Sequence, residues 1–247
     1  KNPERAKKIN ASGIKIEGVS GAWNATLKAT ANIDEIGPAD MVIICVKSYD
    51  TKEAIKSCRN IINDDSLVLT LQNGLGNIEI IAEMVSQDKI IGAVTNQGAT
   101  YLGSGEIRHA GLGETVIGRN DGKIPVELRQ VREIFNEAGI PTRISRDIKA
   151  LLWSKLIINV GINALTAVTH LKNGELINYD GTNQILREAV AEAVKVAKKK
   201  KIKLIYDDPI AKVEAVCEAT AANISSMLQD VLKKKITEID FINIVIV

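Results

Sequence analysis

Residues Met41-Val42-Ile43-Ile44-Cys45-Val46 form an unbroken apolar run between Asp40 and Lys47, and this run restricts the fold more than any other feature of the chain. A strand with one solvated face alternates apolar and polar residues. A continuous run belongs to a strand covered on both faces, as in a parallel sheet between helices. The surrounding pattern repeats that theme, with a helix at 51–60, a strand at 66–71, a helix at 76–86 and a strand at 90–95. Such alternation predicts right-handed βαβ units. Strand-like pieces at 105–109 and 114–118 predict an antiparallel addition, and a helix near 125–138 with a strand at 141–144 completes this part. At the start, Asn2 predicts the cap of a helix opening at Pro3.

From about residue 147 the rhythm changes to long helices, at 147–163, 181–200, 209–220 and 223–233. No Gly/Ser linker marks the change, so the expectation is a strand-rich domain over 1–146 and a tightly associated helical domain over 147–247.

The first of those helices carries the clearest chemical signal. Lys155, Asn159 and Asn163 recur at four-residue spacing within Leu151-Leu152-Trp153-Ser154-Lys155-Leu156-Ile157-Ile158-Asn159-Val160-Gly161-Ile162-Asn163. Four-residue steps drift by only about 40° around a helix, so the three polar groups form one stripe on an otherwise apolar rod. A buried ammonium must find partners or lose charge, which makes Lys155 a candidate proton donor and the amides candidate orienting groups. The competing reading is ordinary helix packing, with Lys155 snorkelling and the asparagines bonded to loops.

Composition narrows the function classes. Thirty-two Lys and Arg are interleaved with thirty Asp and Glu for a net charge of +2, so nucleic acid is not an expected partner. The tract Lys198–Lys203 reads as a solvated helix end. Cys45, Cys58 and Cys217 are odd in number and far apart, which suits reduced thiols in an intracellular, cytoplasmic protein. His109 and His170 have no Cys cluster or His-Glu-x-x-His arrangement beside them, so no metal is expected. His109 reads as support for a strand or loop, and His170 follows the striped helix. No membrane-spanning run is read, and the tail Phe241–Val247 is too short to cross a bilayer. That apolar tail, and the absence of Met at the start, lead us to expect further residues beyond both ends.

In an open parallel sheet ligands bind beyond the carboxyl ends of the strands. Lys47 follows the first strand and Gln72-Asn73-Gly74-Leu75-Gly76 follows the next, so both loops are candidates for that edge. Lys47 could meet a phosphate or carboxylate and Asn73 a polar ring, although Asn-Gly by itself also reads as a simple turn. No Gly-x-Gly-x-x-Gly occurs in residues 1–247, which counts against a complete dinucleotide site within them.

Taken together, Val46-Lys47, Gln72–Gly76, Trp153-Ser154-Lys155 with Asn159 and Asn163, Asn173-Gly174-Glu175-Leu176, Asn223–Asp230 and Thr237–Asn243 resemble the ketopantoate reductase (2-dehydropantoate 2-reductase) family in order and spacing. The resemblance implies an α/β, Rossmann-like, mostly parallel sheet domain binding NADPH/NADP. It further implies an all-helical substrate domain of the 6-phosphogluconate dehydrogenase C-terminal type. A first strand and glycine-rich turn would precede Lys1, and a helix would continue past Asn243. The implied reaction is NADPH-dependent reduction of 2-dehydropantoate to (R)-pantoate for pantothenate and coenzyme A synthesis, with a small 2-oxo acid as partner and a homodimer as an open assembly.

By the same resemblance Lys155 is the catalytic lysine and Glu238 holds a substrate hydroxyl. Ser226 and Asn173 bind substrate, Asn159 and Asn163 orient substrate or the lysine, Asn73 lies at the nicotinamide–substrate junction and Lys1 serves the cofactor, while Lys47 is a cofactor contact by its place after the strand. Read locally, Ser226 or Asn223 could instead cap a helix, and Glu238 could be solvated or paired with Lys234 or Lys235. Two other functions stay open: a binding or regulatory homologue without turnover, and a reductase of another small 2-oxo acid.

Overall fold

A computed structural model describes residues 2–103 and 105–247; Lys1, one of the expected cofactor contacts, lies outside them. In chain order the elements are α1 (Pro3–Ser12), β1 (Ile14–Gly18), β2 (Trp23–Ala25), β3 (Met41–Ile44), α2 (Thr51–Ser57), β4 (Leu67–Thr70), α3 (Asn77–Ala82), β5 (Ile90–Thr95), β6 (Gly98–Gly103), β7 (Glu106–Gly111), β8 (Thr115–Gly118), α4 (Val126–Glu137), β9 (Thr142–Ile144), α5 (Ile148–Thr169), α6 (Asp180–Lys199), α7 (Pro209–Ala219), α8 (Ser226–Leu232) and α9 (Ile239–Ile242), with short 3₁₀ turns between some of them. Packing divides the chain into two units that are not continuous in sequence. Among the described residues, the first holds 2–44, 52–71, 84–103 and 105–146, and the second 45–51, 72–83 and 147–247. Two short loops of the strand-rich part therefore pack with the helices.

The first unit is Rossmann-like. Its five-stranded sheet runs in the order β3-β4-β5-β8-β9, with β3, β4 and β5 parallel, β8 antiparallel to β5, and β9 parallel to β8. Leu69, Ile91, Ala93 and Ile117 pack with Leu128, Val131 and Phe135, which recur on one face of α4 at helical spacing. The apolar run at 41–46 ends as strand at Ile44, and Ile43 is exposed between the buried Val42 and Ile44, so β3 is covered on one face and not on both as the run predicts.

A second sheet, of order β2-β1-β7-β6, was only half foreseen. β6 and β7 pair antiparallel and β1 joins β7 in parallel, but β1, β2 and β6 have no buried residue, so no apolar run announced them. His109 sits in β7, where its ring is hydrogen-bonded to Ser20 Oγ at 2.6 Å and Gln97 Oε1 at 2.8 Å, a strand-supporting role as expected. Asn2 caps α1 by accepting from Arg5 N at 2.9 Å, also as expected.

The second unit is built around α5. This helix runs 22 residues, capped by Asp147 at its start and closed by His170, whose φ of 60° is left-handed. It outruns the expected end at 163 because Thr166 is fully buried and Ala164, Leu165 and Ala167 still pack on the core. At that length α5 is apolar enough to cross a membrane by composition, contrary to the reading that no such run exists. Yet 61% of its most apolar window is buried within the protein. Trp153, Leu156, Ile157 and Val160 meet Leu186, Val190, Val213, Cys217, Met227 and Ile242. Gly161 allows this closeness, since a Cβ there would lie 2.8 Å from Val190 and 3.0 Å from Val213. The lysines ending α6 are exposed, as expected of a solvated helix end.

Candidate active site

The striped helix keeps its polar face. Burial lowers the pKa of Lys155 from 10.5 to about 8, partly opposed by the charge of Glu238, which favours the ammonium. Asn163 is only 6% exposed, yet neither its amide nor that of Asn159 makes a hydrogen bond among the described residues. Asn159 is half-buried, and both amides keep their bonding capacity open to solvent or to a ligand. Nearby in sequence, Asn173 donates from Nδ2 to Thr220 Oγ1 at 2.9 Å, while its buried Oδ1 accepts from no donor among the described residues.

Glu238 contrasts with that stripe. It is 6% exposed and stands just before α9, and its partner is neither Lys234 nor Lys235. Lys47 donates from Nζ to Glu238 Oε2 at 3.1 Å and to Asp230 Oδ2 at 2.5 Å. Ser48 donates to Glu238 Oε1 twice, from its backbone N at 2.9 Å and its hydroxyl at 3.0 Å. Burial works against the charge of Lys47, but the two carboxylates outweigh it and hold its pKa above the usual lysine value.

The loops that supply these groups follow the adjacent parallel strands β3 and β4. The second of them makes a turn that only glycine can make. Gly74 has φ +82°, and a Cβ there would stand 2.5 Å from the carbonyl oxygen of Phe241. Leu75 N donates to that same oxygen at 3.0 Å, fastening the turn to α9. The backbone oxygen of Asn73 accepts from Ser48 Oγ at 2.9 Å and Asn77 Nδ2 at 3.0 Å, and its side-chain amide makes no hydrogen bond among the described residues.

Ser226 is exposed at the first position of α8. The cap of that helix is Ser225, rather than Ser226 or Asn223. Its hydroxyl accepts from Leu228 N at 3.0 Å and from Thr166 Oγ1 at 2.7 Å. Sequence reasoning missed Ser48, Asn77, Thr51 and Asp230 as parts of this region. Asp230 had a usable signal, a carboxylate three residues after the buried Met227 on one face of a short helix, whereas the small polar residues had none.

Measured against a nicotinamide cofactor, the donors divide by location. Lys155 and the open amide of Asn73 suit the end where a carbonyl is reduced. Lys47, expected to meet a cofactor phosphate, already lies between two carboxylates, and that cluster carries net negative charge, which repels phosphate. The phosphate end is therefore not supplied by the residues assembled around Glu238.

The family description "Ketopantoate reductase PanE/ApbA" matches residues 1–122, and its C-terminal counterpart matches 147–247. The 2-dehydropantoate 2-reductase of Halobacterium salinarum is 34% identical over 238 residues, covering 96% of this chain and 78% of that protein. A PanE/ApbA family ketopantoate reductase from Ralstonia eutropha superposes with a TM-score of 0.91 at 31% identity, over 99% of this chain and 80% of the other. D-mandelate dehydrogenase in complex with NADH superposes with a TM-score of 0.87 at 26% identity, over 98% and 79%. With both parts of the family matched in order, the chain belongs to the ketopantoate reductase (PanE/ApbA) family and is an oxidoreductase of that superfamily.

Proposed function

We propose that this protein reduces 2-dehydropantoate to (R)-pantoate with NADPH, a step toward pantothenate and coenzyme A. The observation that carries the reading is Lys155, a buried lysine whose pKa of about 8 leaves it protonated at neutral pH yet ready to give up the proton. When bound, the cofactor supplies the hydride that adds to the carbonyl carbon. Negative charge then develops on the carbonyl oxygen, and Lys155 Nζ donates its proton there, leaving the hydroxyl of the product and a neutral lysine. Glu238, fixed by Lys47 and Ser48, accepts from a substrate hydroxyl. Asn159 and Asn163 offer their unfilled amide capacity to the substrate, with Asn173 and Ser226 as further polar contacts, and Asn73 faces the nicotinamide. Lys47 serves this site through Glu238 and not through a phosphate.

The likeness to D-mandelate dehydrogenase favours one second reading, reduction of a different 2-oxo acid. NADPH absorbance loss with 2-dehydropantoate and with benzoylformate, at matched concentrations, separates the two. Faster turnover of 2-dehydropantoate, abolished in Lys155→Ala, is the expected result. Preference for benzoylformate would move the assignment to the second reading, and cofactor binding without turnover of either acid would make the protein a binding homologue.

A further inference from the structure

Behind Glu238 lies a buried chain of side chains whose hydrogen-bond direction is fixed by proton counting. Gln72 Nε2 donates to the backbone oxygen of Val46 at 2.8 Å, so its NH₂ group faces that way, and the same nitrogen donates to Thr51 Oγ1 at 2.8 Å. Thr51 therefore spends its one proton on Asn77 Oδ1, at 2.8 Å. That contact orients the Asn77 amide, whose two protons go to Asn73 O at 3.0 Å and Ser48 Oγ at 3.1 Å. Ser48 has one hydroxyl proton and two acceptors within reach, Asn73 O at 2.9 Å and Glu238 Oε1 at 3.0 Å. Asn73 O is already served by Asn77, and the carboxylate is the stronger acceptor. The proton goes to Glu238. Each donor in such a chain strengthens the next.

We infer that Gln72, Thr51, Asn77 and Ser48 form a one-way hydrogen-bond relay that positions the Glu238 carboxylate for a hydroxyl-bearing 2-oxo acid. The inference rests on the reading that Glu238 holds a substrate hydroxyl. All four relay members are buried, Ser48 to 1% exposure, so none touches substrate from the surface, and they act as positioning residues. The relay also explains why loops 45–51 and 72–83 pack with the helical unit although each is flanked in sequence by the strand-rich one. Its members come from both loops, and its end point stands at the start of α9.

Two variants test it. Ser48→Ala removes the last hydroxyl but keeps the backbone donor to Glu238. Thr51→Val keeps shape, and keeps the backbone N–H that donates to the carbonyl oxygen of Ser48, while removing a hydroxyl whose bonds go to Asn77 and Gln72 and not to Ser48 or Glu238. We expect KM for 2-dehydropantoate to rise about tenfold in Ser48→Ala and about threefold in Thr51→Val, with NADPH affinity unchanged. Amide hydrogen exchange gives a readout independent of turnover. The residue-48 amide, which donates to Glu238, should exchange about tenfold faster in both variants, while the amides of Leu156 and Ile157 in α5 keep their protection. Unchanged exchange at residue 48 in Thr51→Val overturns the relay, as does an unchanged KM in both variants of an active enzyme. A parent protein without turnover would sink the proposed reaction alone, and the exchange result would still decide the relay.

Discussion

Two polar regions of the helical unit differ in how completely their bonding capacity is used. Both carboxylate oxygens of Glu238 have a donor, and the supporting side chains are bonded in sequence from Gln72 to Ser48. Along α5, Asn159 and Asn163 make no side-chain hydrogen bond among the described residues, and the pKa of Lys155 is pulled down by burial. The first region is fixed by folding, with only the remaining lone-pair capacity of Glu238 left for a substrate hydroxyl. The second is left for a ligand to finish, which is what a substrate-facing surface requires and what a stable core avoids.

The same substitution should therefore act with opposite sign in the two regions. Lys155→Met should reduce turnover by about 10³-fold, the size expected for a lost acid catalyst. It should also stabilise the fold, by up to about 3 kcal/mol, because the lowered pKa means that burying the ammonium costs free energy. A lower melting temperature than the parent would break the comparison.

Lys47→Met should instead destabilise, by about 2 kcal/mol, since Asp230 and Glu238 would be left buried without their cation. The figure is reduced from that of a fully buried pair because the lysine side chain is 34% exposed. Chemical denaturation of both Met variants measures the contrast directly.

The pH response sharpens the contrast further. The folded pKa of Lys155 lies below the unfolded value, so its destabilising effect is fully present below about 8 and fades as pH rises from there toward 10.5. Reduction should follow the protonated fraction, declining by about tenfold per pH unit above 8, and oxidation of the hydroxy acid should rise over the same range. A flat profile through pH 8 in both directions would remove Lys155 as the proton donor. The smallest effect belongs to Ser225→Ala, which loses a cap and the bond from Thr166 at a cost of about 1 kcal/mol, read as a lower melting temperature with unchanged KM.

Much of this was legible locally. The stripe on α5 was visible because a helix repeats its face every three to four residues, and β4 and β5 were visible as short apolar runs. Asp147 and Asp208, each accepting from the backbone N three residues on, mark helix starts that sequence placed within a residue or two. β1, β2 and β6 were not legible, since β1 and β6 are ordered by pairing with β7, and β2 by pairing with β1, and not by an apolar face of their own.

Sequence by itself thus determined the two-part architecture, the helices and the identity of the polar stripe, all of which rest on contacts between residues near one another in the chain. It could not determine the surroundings of Glu238. Ser48 and Glu238 are 190 residues apart, and Lys47 and Asp230 are 183 apart, so no periodicity connects them. Only tertiary structure decided that Lys47 serves two carboxylates and that a serine and an asparagine stand behind one of them. The reason is physical: a small polar residue has the same local signature in a surface turn as in a buried relay, and what distinguishes the two is the set of partners that folding brings to it.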